Sequence, residues 1–171
     1  MNQETVERAA ATGVTVLTTG GTIDKVYFDA NSKFEVGDSV IGDLLEQARV
    51  TVPVTVRELM RKDSLELDDA DRERIHAAVL AAQTTAIVIT HGTDTMTRTA
   101  AALASVAGKT VVLTGSLAPA RFAMTDAIFN VGLAFAAAQT CAPGIYIAMS
   151  GQIFAADRVR KNYDAQRFEA V

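Results

Sequence analysis

Val14-Thr15-Val16-Leu17-Thr18-Thr19-Gly20-Gly21-Thr22-Ile23-Asp24 is the stretch that decides the fold. Residues 14–17 are all apolar or β-branched, the mark of a buried strand, and they run directly into Gly20-Gly21. Two adjacent glycines carry no Cβ, so the backbone of the turn can approach a neighbouring segment or a bound group closely. Thr22 follows, where its hydroxyl would project over the carboxyl edge of a sheet. In open α/β sheets that edge is where ligands bind. On its own the turn suits a plain connection or a phosphate cradle as well as a nucleophile, and the rest of the chain has to choose.

Outward from this stretch, apolar strands alternate with helical patterns. Strands are predicted at 52–59, 86–90, 110–114 and 144–149, with a turn and short strand at 151–154. Helices are predicted at 41–49 with Leu44, Leu45 and Ala48 inward, at 69–83 with Ile75, Val79 and Ala82 inward, and from Met96 to Ala107. A further helix at 124–139 would bury Ile128, Val131, Phe135 and Ala138. Asp68, Asp69 and Asp71 stand where a helix N-terminus favours negative charge. Residues 1–12 read as a frayed start or short helix, 24–38 as a long polar loop of the kind that forms a functional lid or is disordered, and 157–163 as a charged tail. The alternation implies a three-layer, Rossmann-like α/β fold: a mostly parallel sheet, helices on both faces, right-handed crossovers.

The 171 residues, 49% hydrophobic and 21% charged, fit one globular domain spanning 1–171. A net charge of −4 without a basic run argues against nucleic-acid binding. No apolar run reaches the length of a membrane span and the N-terminus lacks a signal-peptide core, so no membrane partner and a cytoplasmic location are expected. Cys141 alone cannot form an internal disulfide, which is consistent with a reducing compartment.

Three strands end in clusters of the same kind: Thr19-Gly20-Gly21-Thr22, His91-Gly92-Thr93-Asp94 and Thr114-Gly115-Ser116. In a parallel sheet these ends share one edge, so the clusters meet. Such an edge offers hydroxyls, one acid and, from the tail, Lys161. A threonine hydroxyl attacks a carbonyl only if a neighbour removes its proton, and a lysine in a suitable environment can be that base. An aspartate beside the lysine would hold it in place while favouring the ammonium, so a water or second hydroxyl is expected to share the relay. Backbone N–H groups next to the glycines could meet the developing oxyanion. One acid among hydroxyls also suits a small zwitterion, the acid taking the ammonium and the hydroxyls the carboxylate.

Thr19-Gly20-Gly21-Thr22-Ile23 followed by His91-Gly92-Thr93-Asp94-Thr95, each closing a strand, resembles the bacterial-type L-asparaginase family, and the likeness runs through nearly the whole chain. The resemblance implies an amidohydrolase that cleaves L-asparagine, and often glutamine, to the acid and ammonia. It implies that Thr22 is the nucleophile, that Thr93 belongs to the proton relay, that Asp94 binds the substrate ammonium and that Lys161 completes the relay. Ser64, in Lys62-Asp63-Ser64-Leu65, resembles the serine that holds the substrate carboxylate, with Gly21 at the substrate turn. Family members keep a tyrosine in the loop after the nucleophile. Tyr27 rather than Phe34 is assigned that place, since only a phenol can donate a hydrogen bond. Familiar members carry a second, C-terminal domain. A short-chain member, with its site made mostly from its own domain and assembled as a homo-oligomer, is therefore expected.

Plainer roles remain for several residues. His91 suits a hydrogen-bonded structural place in a glycine turn, His76 half-buried packing, and Asp94 the cap of the following helix. Ser116 and Arg121 would shape the edge of the site. Two isolated histidines and one cysteine do not make a metal-ligand set, and no cofactor is expected. Two alternatives stand beside hydrolysis: the amidase component of an amidotransferase, and a non-catalytic module that binds an amino acid or a nucleotide phosphate. The chain lacks a P-loop lysine and Gly-x-Gly spacing, which argues against phosphate.

Overall fold

The computed structural model describes residues 12–28 and 33–171. The expected start at 1–12 lies almost wholly outside that range, as do residues 29–32 of the long polar segment. Strand β1 (Val14–Gly20) is buried along its whole length. It sits in a six-stranded sheet with β4 (Val54–Lys62), β5 (Ala86–Thr90), β6 (Thr110–Thr114), β7 (Gly144–Met149) and β8 (Gln152–Ala155), in the order β4-β1-β5-β6-β7-β8. All neighbours are parallel except the edge strand β8, which runs antiparallel to β7. The mostly parallel α/β sheet is therefore as expected. The short strands β5 and β6 are buried throughout because helices cover both of their faces.

Alternation along each strand divides the core in two. Leu17, Ile87, Ile89, Val111 and Leu113 point to one side, packed on Ile75 and Val79 of α2 (Asp69–Ala81) and on Met96 and Ala100 of α3 (Met96–Ala102). Val14, Val16, Val88 and Val112 point to the other, packed on Ile41 and Leu45 of α1 (Ile41–Gln47) and on Val131, Ala134 and Phe135 of α4 (Ala127–Thr140). Helix α2 starts at a capping box, in which Asp68 accepts from Asp71 N–H and the Asp71 carboxylate accepts from Asp68 N–H.

Five expectations change. The segment after Thr22 forms an antiparallel hairpin, β2 (Lys25–Phe28) paired with β3 (Lys33–Val36), with Tyr27 opposite Phe34. The charged tail is a second hairpin, β9 (Val159–Asn162) with β10 (Arg167–Ala170), docked on the core by Val159 and Phe168. Helix α3 ends at Ala102, short of Ala107. Ile128 is 57% exposed, because α4 begins at Ala127 and presents the small Ala127, Ala134, Ala137 and Ala138 to the sheet. Ala48, expected inward, also faces outward.

Register brings the strand ends level: Thr18 lies opposite Thr90, and Thr90 opposite Thr114. Between Thr18 and Gly20 the pairing with β4 slips, from Glu58 to Lys62. This irregularity carries the end of β4 across the top of β1 and delivers residues 62–66 to the same edge.

Candidate active site

The turn after β1 is built on close backbone approach. Gly21 has φ 88° and ψ −172°, its N–H donates to the Lys62 carbonyl at 3.0 Å, and a Cβ there would lie 2.5 Å from the Gly92 nitrogen. Only glycine fits that position. Gly92 in turn abuts Ser64: a Cβ on Gly92 would lie 2.7 Å from the serine Cβ and Oγ. Three segments, from β1, β5 and β4, therefore stack edge to edge, with the small Ser64 side chain set against Gly92. The half-buried Thr22 opens a short 3₁₀ turn over Thr22–Asp24, and its hydroxyl makes no hydrogen bond to another described residue.

Beside this stack the end of β5 meets the β9 hairpin. The Lys161 ammonium donates to Thr93 Oγ1 at 2.7 Å and to Asp94 Oδ1 at 2.5 Å, and only 10% of the lysine side chain is exposed. A cation held so far from water needs such partners. Tyr163 closes the group from outside: its phenol donates to the Asp94 carbonyl at 2.9 Å, and its ring centroid is 5.1 Å from Lys161 Nζ. Tyr163 belongs to the segment expected as a charged tail, where the sequence assigns it no role. The one available signal was an aromatic ring two residues after the lysine.

Ser64 is 1% exposed, and its hydroxyl has no hydrogen-bond partner among the described residues. Asp63 caps the 3₁₀ turn Ser64–Glu66, and the Thr95 hydroxyl donates to the Ser64 carbonyl at 2.7 Å. Lys62 pairs with Asp71 at 2.7 Å, fixing the segment to the start of α2. A buried hydroxyl left without a partner is disfavoured by about 1–3 kcal/mol, so a group that pairs with it gains that much. Tyr27 stands on β2 with its ring 5.3 Å from that of Phe34; it is 48% exposed, and its hydroxyl bonds to none of the described residues.

His91 is fully buried. A carbonyl can only accept, so His91 Nδ1–H donates to Gly92 O at 2.7 Å, leaving Nε2 to accept from the Thr99 hydroxyl at 2.8 Å. Burial, reinforced by Arg72, lowers its pKa to about 4. The ring is neutral and structural, as expected for this turn. Because the folded pKa lies below the unfolded value, its stability contribution is complete above about pH 6.5 and is lost as pH falls toward 4. The loss amounts to roughly 3 kcal/mol from the size of the shift. An NMR titration of the ring should show no protonation of His91 between pH 8 and 5 in the folded protein. An ordinary histidine midpoint would refute this assignment.

The structure thus brings Thr93, Asp94 and Lys161 into direct contact and places Gly21, Gly92 and Ser64 in one stack. Among the described residues it leaves the hydroxyls of Thr22 and Tyr27 without a hydrogen-bond partner. The Gly21 N–H is committed to the Lys62 carbonyl, so of the backbone N–H groups around the glycines it is not one left for an oxyanion. Ser116 donates to Ala118 O, and Arg121 donates to Asp38 O at 3.4 Å, placing Arg121 at the root of the β2–β3 hairpin. His76 bonds Ser105 on the surface of α2. Among the described residues, no three of His, Cys, Asp and Glu converge as a metal site would require, and no helix is long and apolar enough to cross a membrane.

Residues 13–171 match the family model described as asparaginase, N-terminal. An L-asparaginase of Thermococcus kodakarensis is 35% identical over 158 residues, covering 85% of this chain and 46% of the relative. The solved structure of the thermostable L-asparaginase from Thermococcus kodakarensis superposes with a TM-score of 0.80 at 30% identity, covering 93% of this chain and 51% of that one. The L-asparaginase I structure from Vibrio cholerae gives a TM-score of 0.82 at 26% identity, covering 94% and 52%. The chain spans about half the length of the curated relatives it matches. With the sheet, the two glycine-threonine strand ends and this match over nearly all its described residues, the chain belongs to the asparaginase family.

Proposed function

We propose that the chain is a catalytic domain that hydrolyses L-asparagine to L-aspartate and ammonia through a threonine acyl-enzyme. The observation that carries this reading is Lys161, buried and bonded at once to Thr93 Oγ1 and Asp94 Oδ1. In the mechanism, Lys161 acts as the free amine: Thr22 Oγ attacks the side-chain amide carbon while its proton passes to Thr93 Oγ1, which hands its own proton to Lys161 Nζ. The C–N bond of the tetrahedral intermediate breaks, the nitrogen takes that proton back from Lys161 through Thr93, and ammonia leaves. Water then attacks the Thr22 ester, giving aspartate and the free hydroxyl. Asp94 takes the substrate ammonium, and the partnerless Ser64 hydroxyl donates to its carboxylate. Tyr27, on the strand that follows the nucleophile, is the tyrosine this reading assigns to partner Thr22. A binding-only module would leave the Lys161–Thr93 contact without a task.

The same reading takes residues 1–171 as one asparaginase-like domain, working as a homo-oligomer in the cytoplasm. Exposed Phe122, Met124, Ile128 and Phe129, on α4 and the loop before it, support association, and the lone free Cys141 suits a reducing compartment. Ammonia release from purified protein tests the activity. Asparagine should be turned over fastest, glutamine more slowly, and an unrelated amide not at all. Absence of ammonia from every small β- or γ-amide would refute the proposal.

A further inference from the structure

Asp24 is a buried acid that the reaction above does not use. It is 1% exposed, and no ion pair to it exists among the described residues. Its Oδ1 accepts from Val40 N–H at 3.0 Å, and the Ser39 hydroxyl is a second partner. Burial, aided by repulsion from Glu58 of β4, raises its pKa to about 6 against the opposing pull of these hydrogen bonds and of Arg121 from the loop before α4. A carboxyl group in so dry a place is held against its own preference for water.

The backbone of the same residue is also engaged. Gly37 N–H donates to the Asp24 carbonyl at 2.9 Å, and Asp24 N–H donates to the Gly21 carbonyl at 3.2 Å. Residues 37–40 are the return from β3 into α1, whereas residues 21–23 carry Thr22. One residue therefore fastens both ends of the β2–β3 hairpin to the turn that presents the nucleophile. From the other side, Ala120 N–H donates to the Ile23 carbonyl at 3.0 Å. The turn is pinned on either flank of Thr22, and the side-chain bond of Asp24 reaches farthest, to Val40.

We propose that Asp24 is a positioning residue: its carboxyl fixes the return segment 37–40 against the Thr22 turn and so sets where β2, with Tyr27, stands beside the nucleophile. The proposal rests on the assignment of Thr22 as that nucleophile. Asp24→Asn keeps an oxygen facing Val40 N–H, whereas Asp24→Ala removes it. Val40→Pro removes the donor and leaves the acid in place, at a residue whose φ of −90° lies close to the proline range.

Two readouts separate the possible failures. Hydrogen exchange at Gly37 should be at least about tenfold faster in Asp24→Ala and Val40→Pro than in the parent, and within about threefold of it in Asp24→Asn. For asparagine, kcat/KM should fall about 10- to 100-fold in the first two variants, mostly through KM, with recovery in Asp24→Asn. Should Asp24→Ala fail to fold, Val40→Pro decides. An active parent whose Asp24→Ala and Val40→Pro variants match it in exchange and kcat/KM would overturn the proposal, as would equal impairment in Asp24→Asn. A parent that releases no ammonia refutes the Thr22 assignment itself, and the catalytic half of this proposal falls with it.

Discussion

Thr22→Ala should reduce asparagine turnover by at least about a thousandfold, equivalent to about 4 kcal/mol of lost transition-state stabilisation, and leave the melting temperature where it was. The two halves of that expectation have separate origins. The chemical half follows from the covalent step: without Oγ there is no ester, and what remains is whatever the relay and the pocket can do to a water. In other enzymes with an activated hydroxyl, loss of that nucleophile leaves only residual catalysis from binding and oxyanion contacts. The structural half follows from what the hydroxyl touches. It bonds to none of the described residues, and the turn is held instead by Ile23 O, Asp24 O and the Asp24 carboxyl, so its removal orphans no group among them. Lys161→Met would behave differently: it too should lose activity, but it strips a buried cation from Asp94 and Thr93 and should lower stability as well. Thr22→Ser keeps the oxygen and should stay within about tenfold of the parent. Full turnover in Thr22→Ala would place the nucleophile elsewhere.

What could be read in the sequence, and what could not, follows from how each segment is buried. Strands β1, β5 and β6 are sealed on both faces, so composition alone declares them, and glycine-threonine ends declare the sheet edge. The β2–β3 hairpin has mostly exposed residues on short strands, including Tyr27 and Phe34, and its pattern of charge and aromatic residues is indistinguishable from that of a loop. The β9–β10 hairpin anchors through only Val159 and Phe168, too few for any periodicity, so Lys161 could be assigned only by resemblance. Tyr163 and Asp24 were invisible for the same reason: their work depends on backbone carbonyls and N–H groups from distant segments, and those bonds leave no trace in residue type. The slip between β1 and β4 that commits Gly21 N–H to Lys62 is likewise a product of register.

Gly21→Ala should destabilise the protein by roughly 3–5 kcal/mol. Its φ of 88° with ψ −172° lies in a region almost reserved for glycine, which contributes about 1–3 kcal/mol for any other residue. The methyl would then sit 2.5 Å from the Gly92 nitrogen and 2.6 Å from its Cα, backbone atoms at the end of a buried strand that have no rotamer to change. Forced overpacking of this kind typically adds about 1–3 kcal/mol. At about 2–4 °C per kcal/mol for a domain of this size, the melting temperature should fall by roughly 10 °C. Relief could come only by parting the β1 and β5 ends, which would carry Thr22 away from Thr93, so the fraction that still folds should also lose most of its turnover. Gly132→Ala is the matching control: its Cβ would meet nothing within 4 Å on the exposed side of α4, and alanine there should stabilise the protein by about 1 kcal/mol. If urea melts give Gly21→Ala and Gly132→Ala the same midpoint, the two strand ends are not in contact, and the shared edge on which the site depends is wrongly drawn.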